Sequence, residues 1–159
     1  MDNLTILHLS DLHFCPSERN DINIIKRALF IDLNDFKENC IQPDVVVFSG
    51  DLIDEGNFGY SEQRSDYDSV RCEFIDPLLE SLDLDTDSFF ICAGNHDIQR
   101  NEVDERIEAD LRGKLIDIRS VNRLTDNFED HPQVFARMTN FERFKESITS
   151  KSVRSNVLF

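Results

Sequence analysis

The chain has 159 residues, 32 Asp and Glu against 17 Lys and Arg, and a formal net charge of -15. That length suits one domain, and 40% hydrophobic residues with 13 Phe support a packed core and exclude wholesale disorder. No stretch approaches the ~20 apolar residues of a membrane span, the start Met1-Asp2-Asn3 lacks the basic stretch of a signal peptide, and the Lys/Arg footprint of a free-standing nucleic-acid binder is missing.

Leu4-Thr5-Ile6-Leu7-His8-Leu9 is a short apolar run of strand formers that stops at Ser10-Asp11. From Asp21 the period becomes helical, with Ile24, Ile25, Ala28, Leu29, Leu33 and Phe36 as the inward stripe and Asn20 or Asp21 as N-cap. Pro43-Asp44 interrupts the chain, and Val45-Val46-Val47-Phe48 reads as a strand buried on both faces, ending at Ser49-Gly50-Asp51. A polar loop over 55–65 leads to a second helix bearing Tyr67, Val70, Phe74, Leu78, Leu79 and Leu82 on one face, which Pro77 should kink or split. Phe89-Phe90-Ile91-Cys92-Ala93 is a third buried strand, ending at Gly94-Asn95-His96-Asp97.

Beyond Asn101 two helical stripes follow, one of Val103, Ile107, Leu111, Leu115 and Ile118, the other of Val134, Phe135, Met138, Phe141, Phe144 and Ile148. The order strand-helix-strand-helix-strand predicts an α/β fold with parallel strands, and such sheets bind ligands at the carboxyl ends of the strands. The whole of 1–159 reads as a single domain, with 101–159 a helical cap or insertion within it. The apolar end, Val153 to Val157-Leu158-Phe159, looks cut, so the domain is expected to be incomplete.

The acidic excess is uneven. Residues 101–159 hold 11 acidic and 10 basic side chains, which leaves 21 acidic and 7 basic in the first hundred. Several of these Asp stand at the ends of apolar runs, where a solvated surface does not require them. If a phosphate binds there, bound metal is the obvious neutralising charge. The four cysteines include no CxxC pair and read as reduced thiols in a cytoplasmic chain.

Three polar clusters close the three strands: Asp11-Leu12-His13, Gly50-Asp51-Leu52-Ile53-Asp54 and Gly94-Asn95-His96-Asp97. Asp and His are oxygen and nitrogen donors suited to Mn, Fe, Zn or Ni. A D-x-H on extended backbone sends both side chains to one side, since strand side chains alternate with period two. One carboxylate has two oxygens and can bridge two ions ~3.5–4 Å apart, the spacing of two-metal phosphoryl sites. His8, inside the first strand, reads as a buried or half-buried neighbour and not a ligand. Cys15 reads as a packing residue and His131 as a surface or loop residue.

In this order the clusters resemble the calcineurin-like metallophosphoesterases, whose pattern runs D-x-H, G-D-x-x-D, G-N-H-D/E, a lone His and G-H-x-H. The resemblance covers about the first hundred residues. It implies that Asp11 and His13 bind a first divalent metal, that Asp51 bridges, and that Asn95 binds a second, with Mn favoured and Fe, Zn or Ni as alternatives. His96 would donate a proton to the leaving oxygen, and Asp97 would accept a hydrogen bond from His96 and fix its tautomer. Asp54 would hold the loop behind the ligands, and Gly50 and Gly94 would allow tight turns under the metals. The implied fold is a two-sheet β-sandwich flanked by helices, of which this chain supplies mainly one sheet.

The later His and G-H-x-H of the pattern are absent from these residues. The intact clusters favour the N-terminal piece of a longer enzyme over a decayed domain. The resemblance implies a phosphoesterase in which a hydroxide bridging two metals attacks phosphorus, with a phosphodiesterase or nuclease preferred. The alternatives are a phosphomonoesterase acting on protein or nucleotide, and a non-catalytic effector or scaffold module. Implied partners are a phosphate-ester substrate, with nucleotide and nucleic acid among the candidates, and further domains of a longer chain, but no membrane. Arg100, Arg106, Arg112 and Arg119 lie where they could steer phosphate, although the helices that carry them are read first as cover for the sheet.

Overall fold

A computed structural model of the chain describes residues 3–54, 65–102, 104–127, 130 and 132–149. Among these, three strands form one parallel sheet in the order β1 (Ile6–Leu9), β2 (Val45–Phe48) and β3 (Phe89–Ile91). The register pairs Ile6 with Val45 and His8 with Val47, and then Val47 with Phe90 and Phe48 with Ile91. Asp44 fixes the start of β2: its carboxylate accepts from the Thr5 N–H at 2.7 Å and its own N–H donates to the Thr5 carbonyl at 2.8 Å. Pro43 is thereby left just outside the sheet, where its missing N–H costs nothing.

Helix α1 (Arg19–Glu38) follows β1 after a 3-10 turn over Pro16–Glu18. The expected cap at Asn20 or Asp21 is not used; Pro16, with its preset φ, opens the helical run earlier. The expected stripe is also corrected. Ile22 and Leu33 are buried, with Leu29 and Phe30 packed beside them, while Ile24, Ile25, Ala28 and Phe36 are exposed. Both sets recur at helical spacing, so periodicity alone could not choose between the two faces.

Helix α2 (Asp66–Val70) opens with a capping box in which Ser65 and Asp68 bond each other's backbone N–H. It runs through a π-helical turn (Arg71–Ile75) into α3 (Asp76–Leu82). Pro77 therefore does not split the run. A regular helix would bond the N–H of residue 77 to the Glu73 carbonyl; proline has none, and Lys26 Nζ donates to that carbonyl at 2.8 Å instead. Tyr67, Val70, Phe74, Leu78, Leu79 and Leu82 are all buried, as expected, and Ile75 joins them.

The core lies on one face of the sheet, where Val46, Phe48 and Phe89 meet α1 and the α2–α3 run. No described element covers the other face. Ile6 and Phe90 are 52% and 54% exposed, and Val45 and Val47 are half-buried. His8, expected to be at least half-buried, is exposed on that face, with Nε2 2.7 Å from Ser49 Oγ.

Helices α4 (Glu105–Lys114), α5 (Ile118–Asp126), α6 (Pro132–Phe135) and α7 (Thr139–Ile148) complete the described chain. Neither α4 nor α5 buries a residue, and Ile118, assigned to the inward stripe, is exposed. By contrast α7 buries Phe141, Phe144 and Ile148. No described helix is long and apolar enough to cross a membrane. Val103, His131, residues 55–64 of the polar loop and residues 150–159 of the apolar tail lie outside the described residues.

Candidate metal centre

The loops that leave β1 and β2 stay paired beyond the strand ends. Asp11 N–H donates to the Gly50 carbonyl at 3.1 Å, His13 N–H to Asp51 at 3.0 Å and Phe14 N–H to Leu52 at 2.9 Å. Buried Leu12 and Phe14 alternate with Asp11 and His13, and buried Leu52 and Ile53 separate Asp51 from Asp54. Apolar anchors thus hold the loops down while the donor side chains point out.

The backbone is not the extended segment the D-x-H spacing suggested. Asp11, His13 and Asp51 have φ values of 58°, 47° and 54°, in the left-handed region. Two successive excursions of this kind around Leu12 converge the Asp11 and His13 side chains, so strand alternation is not the reason. Donor atoms of Asp11, His13 and Asp51 lie within 4.8 Å of one another.

Close approach of the β2 and β3 loops depends on two glycines. Gly50 has φ 110°, and a Cβ there would come within 2.8 Å of Gly94 Cα and N. A Cβ on Gly94 would overlap the Asp51 carboxylate and backbone. The requirement at Gly94 is therefore space beside a donor, not the tight turn read from the sequence. Just beyond, His96 N–H donates to Asp51 Oδ1 at 2.9 Å, which orients that carboxylate through one of its two oxygens. Asn95 is exposed between Gly94 and His96, the two residues in contact with Asp51.

A second group joins His13, Asp54 and His96, again with donor atoms within 4.8 Å. The Asp54 carboxylate lies 3.8 Å from His13 Nδ1 and 3.7 Å from His96 Nδ1, and the two rings meet edge to face with centroids 4.6 Å apart. His96 Nδ1 is 2.7 Å from the Asp54 carbonyl. A carbonyl can only accept, so the ring hydrogen sits on Nδ1 and Nε2 carries the lone pair.

That arrangement corrects the part expected of Asp97. Its carboxylate is fully buried and bonds backbone, accepting from Leu52 N–H at 3.0 Å, Ile53 N–H at 3.1 Å and Gly94 N–H at 2.8 Å. Burial pushes this carboxyl above the ordinary range, against the lowering effect of the surrounding amides. The tautomer of His96 is set by Asp54, which was expected only to hold a loop. Spacing within G-N-H-D could not reveal this, because the partner lies 42 residues away in sequence.

Cys15 is half-buried, Cys40, Cys72 and Cys92 are exposed, and none of the four is in a disulfide. Arg112 lines a shallow cleft with Arg137, Glu105 and Glu108, where Arg137 pairs with Glu108.

Two carboxylates and an imidazole converging from two loops, with a third carboxylate and a second imidazole alongside, form a mixed oxygen and nitrogen donor set that fits a divalent transition metal. A search of curated proteins finds no match to the chain. A model of the calcineurin-like phosphoesterase family, however, matches residues 4–151. That span takes in all three loops and the helices beyond them, and the chain belongs to the calcineurin-like phosphoesterases.

Proposed function

We propose that the chain carries a two-metal phosphodiesterase centre, acting on nucleotide or nucleic-acid diesters. The observation that carries this reading is the convergence of Asp11, His13 and Asp51 beside a histidine whose Nδ1 is fixed and whose Nε2 carries the lone pair. Asp11, His13 and Asp51 would hold one divalent ion, and Asp51 with Asn95 a second, Mn being the first choice. When bound, the metals supply Lewis-acid polarisation of phosphoryl oxygens and activation of water.

The remaining work falls to the chain's own groups. His96, locked through Nδ1 onto the Asp54 carbonyl, takes up a proton from solvent at Nε2 and delivers it to the leaving oxygen. Asp54 holds both imidazoles from one side. Gly50 and Gly94 keep the β2 and β3 loops close enough for Asp51 to serve both ions. Residues 101–159 act as a helical cap within the same domain.

After the third cluster the sequence offers only His131 and no G-H-x-H. The second ion would then rest on Asp51 and Asn95, and these 159 residues alone are expected to be nearly inactive. Hydrolysis of bis-p-nitrophenyl phosphate and p-nitrophenyl phosphate, with Mn²⁺ at high enzyme concentration, tests the reading. Faster diester cleavage, lost in His96→Ala, is the expected result. Faster monoester cleavage would make the protein a phosphatase. Mn²⁺ binding with no cleavage of either ester would support a non-catalytic module, the reading favoured by the missing G-H-x-H.

A further inference from the structure

Of the carboxylates in the three motifs, Asp11, Asp51 and Asp54 reach the surface and Asp97 does not. Its two oxygens are divided between two loops. Oδ1 takes the N–H groups of Leu52 and Ile53, which lie between Asp51 and Asp54, and Oδ2 takes the N–H of Gly94, which precedes Asn95 and His96. One side chain therefore staples the loop carrying Asp51 to the loop carrying Asn95 and His96.

The staple is itself held from the helical layer. The Tyr67 hydroxyl donates to the Asp97 main-chain carbonyl at 2.9 Å, and all of Tyr67 but 1% is buried. Its ring stacks on Phe144 of α7 at 4.6 Å and meets Phe141 edge-on at 6.4 Å. Packing of α7 is thus linked to the donor loops through two consecutive contacts, Phe144 to Tyr67 and Tyr67 to Asp97.

We propose that Asp97 and Tyr67 are positioning residues which fix the separation of the β2 and β3 donor loops, and that α7 sets this separation through Tyr67. The inference deepens the metal-centre reading and rests on it for its effect on metal binding. Asp97 touches no reacting group in this scheme. Asparagine cannot replace it, since an amide offers one acceptor oxygen, and whichever loop meets the NH₂ group faces donor against donor.

The test uses the whole chain and two readouts. In EDTA, hydrogen exchange at the Leu52, Ile53 and Gly94 amides reports the staple directly; with Mn²⁺ as probe, the dissociation constant reports its effect. Groups that orient metal ligands change affinity by roughly 10–100-fold when removed. Asp97→Asn is expected in that range, with the three amides exchanging at least tenfold faster than in the parent. Tyr67→Phe keeps the ring stack and removes only the hydroxyl; it should raise the Mn²⁺ dissociation constant by roughly tenfold and speed the same three amides.

Leu33→Ala, which opens the core at α1, serves as the control. It should lower thermal stability and speed exchange broadly, without singling out these amides or changing Mn²⁺ affinity. The proposal is overturned if Tyr67→Phe leaves both readouts at the parent values, or moves them no differently from Leu33→Ala. Should Asp97→Asn fail to fold, Tyr67→Phe decides alone. A parent chain that takes up no Mn²⁺ would sink the metal reading, while exchange in EDTA would still decide whether the staple exists.

Discussion

Asp11, His13 and Asp51 sit on backbone that an L-residue adopts at a cost of roughly 1–2 kcal/mol each. Such strain persists where the surroundings over-determine it, and here the bonds from Asp11 N–H to Gly50 and from His13 N–H to Asp51 do so. Asn tolerates the left-handed region as well as Asp does, and its oxygen can still accept from His96 N–H. Asp51→Asn should therefore leave metal-free thermal stability at or above the parent value while weakening Mn²⁺ binding at least ~10-fold, the order seen when a direct ligand or its orienting partner is lost. A melt showing that Asp51→Asn mainly unfolds the chain would count against this division of labour. Metal should also stabilise the parent by mass action, about 2.7 kcal/mol at a hundredfold excess over its dissociation constant. A melting temperature that moves neither with Mn²⁺ nor with EDTA would mean that the donors do not form a competent site. These residues could be found in the sequence because each closes an apolar run. Their mode of convergence could not, since φ at a non-glycine position leaves no mark on residue spacing.

At the scale of elements, Pro77 and Lys26 show how one missing hydrogen reshapes a helix. The Glu73 carbonyl has lost its regular partner and takes Lys26 Nζ across 47 positions of sequence. Lys26→Met should cost about 1 kcal/mol, the net value of a hydrogen bond. In a Pro77→Ala background the same change should cost less, because an alanine at that position can supply the N–H; equal costs in the two backgrounds would refute this account. The sequence exposed the proline and the apolar face of α2 and α3, but the compensating lysine belongs to another helix. A second element-scale prediction concerns α5. Asp117 caps it by accepting from the Ser120 N–H at 2.8 Å. The Ser120 backbone bond, followed by the Ser120 hydroxyl, lowers the Asp117 pKa from 3.8. A carboxylate whose folded pKa is depressed contributes stability above the unfolded value, and that contribution is lost as pH falls through the folded one. Helical chemical shifts in α5 should therefore fade below about pH 4, and Asp117→Ala should lose them at neutral pH while leaving α7 unchanged.

For the whole molecule, the order of elements and the parallel sheet were readable because the strands are apolar runs and the intervening helices carry apolar stripes. Which face of each element meets the core was less readable. α1 carries two apolar sets, and Ile24 with Ile31 lies opposite Ile22 with Leu33. The sheet has a similar ambiguity: β2 and β3 are apolar at successive positions, the composition of strands covered on both faces. Yet Ile6, Phe90, Val45 and Val47 line a face that no described element covers. An open apolar face of this kind favours self-association, and among the described residues no strand pairs with the outer edge of β1 or β3. Phe90 is the most telling position, being large, 54% exposed and paired in register with Val47. If the face is open in solution, Phe90→Lys should shift stability by no more than about 0.5 kcal/mol, as other exposed substitutions do. It should also lower 8-anilinonaphthalene-1-sulfonate (ANS) fluorescence and shift sedimentation toward the monomer. Phe89→Lys, one residue away on the buried face, should unfold the chain, because it places an unpaired charge in the core. A loss from Phe90→Lys of the same size would show that this face is covered in solution and takes no part in association.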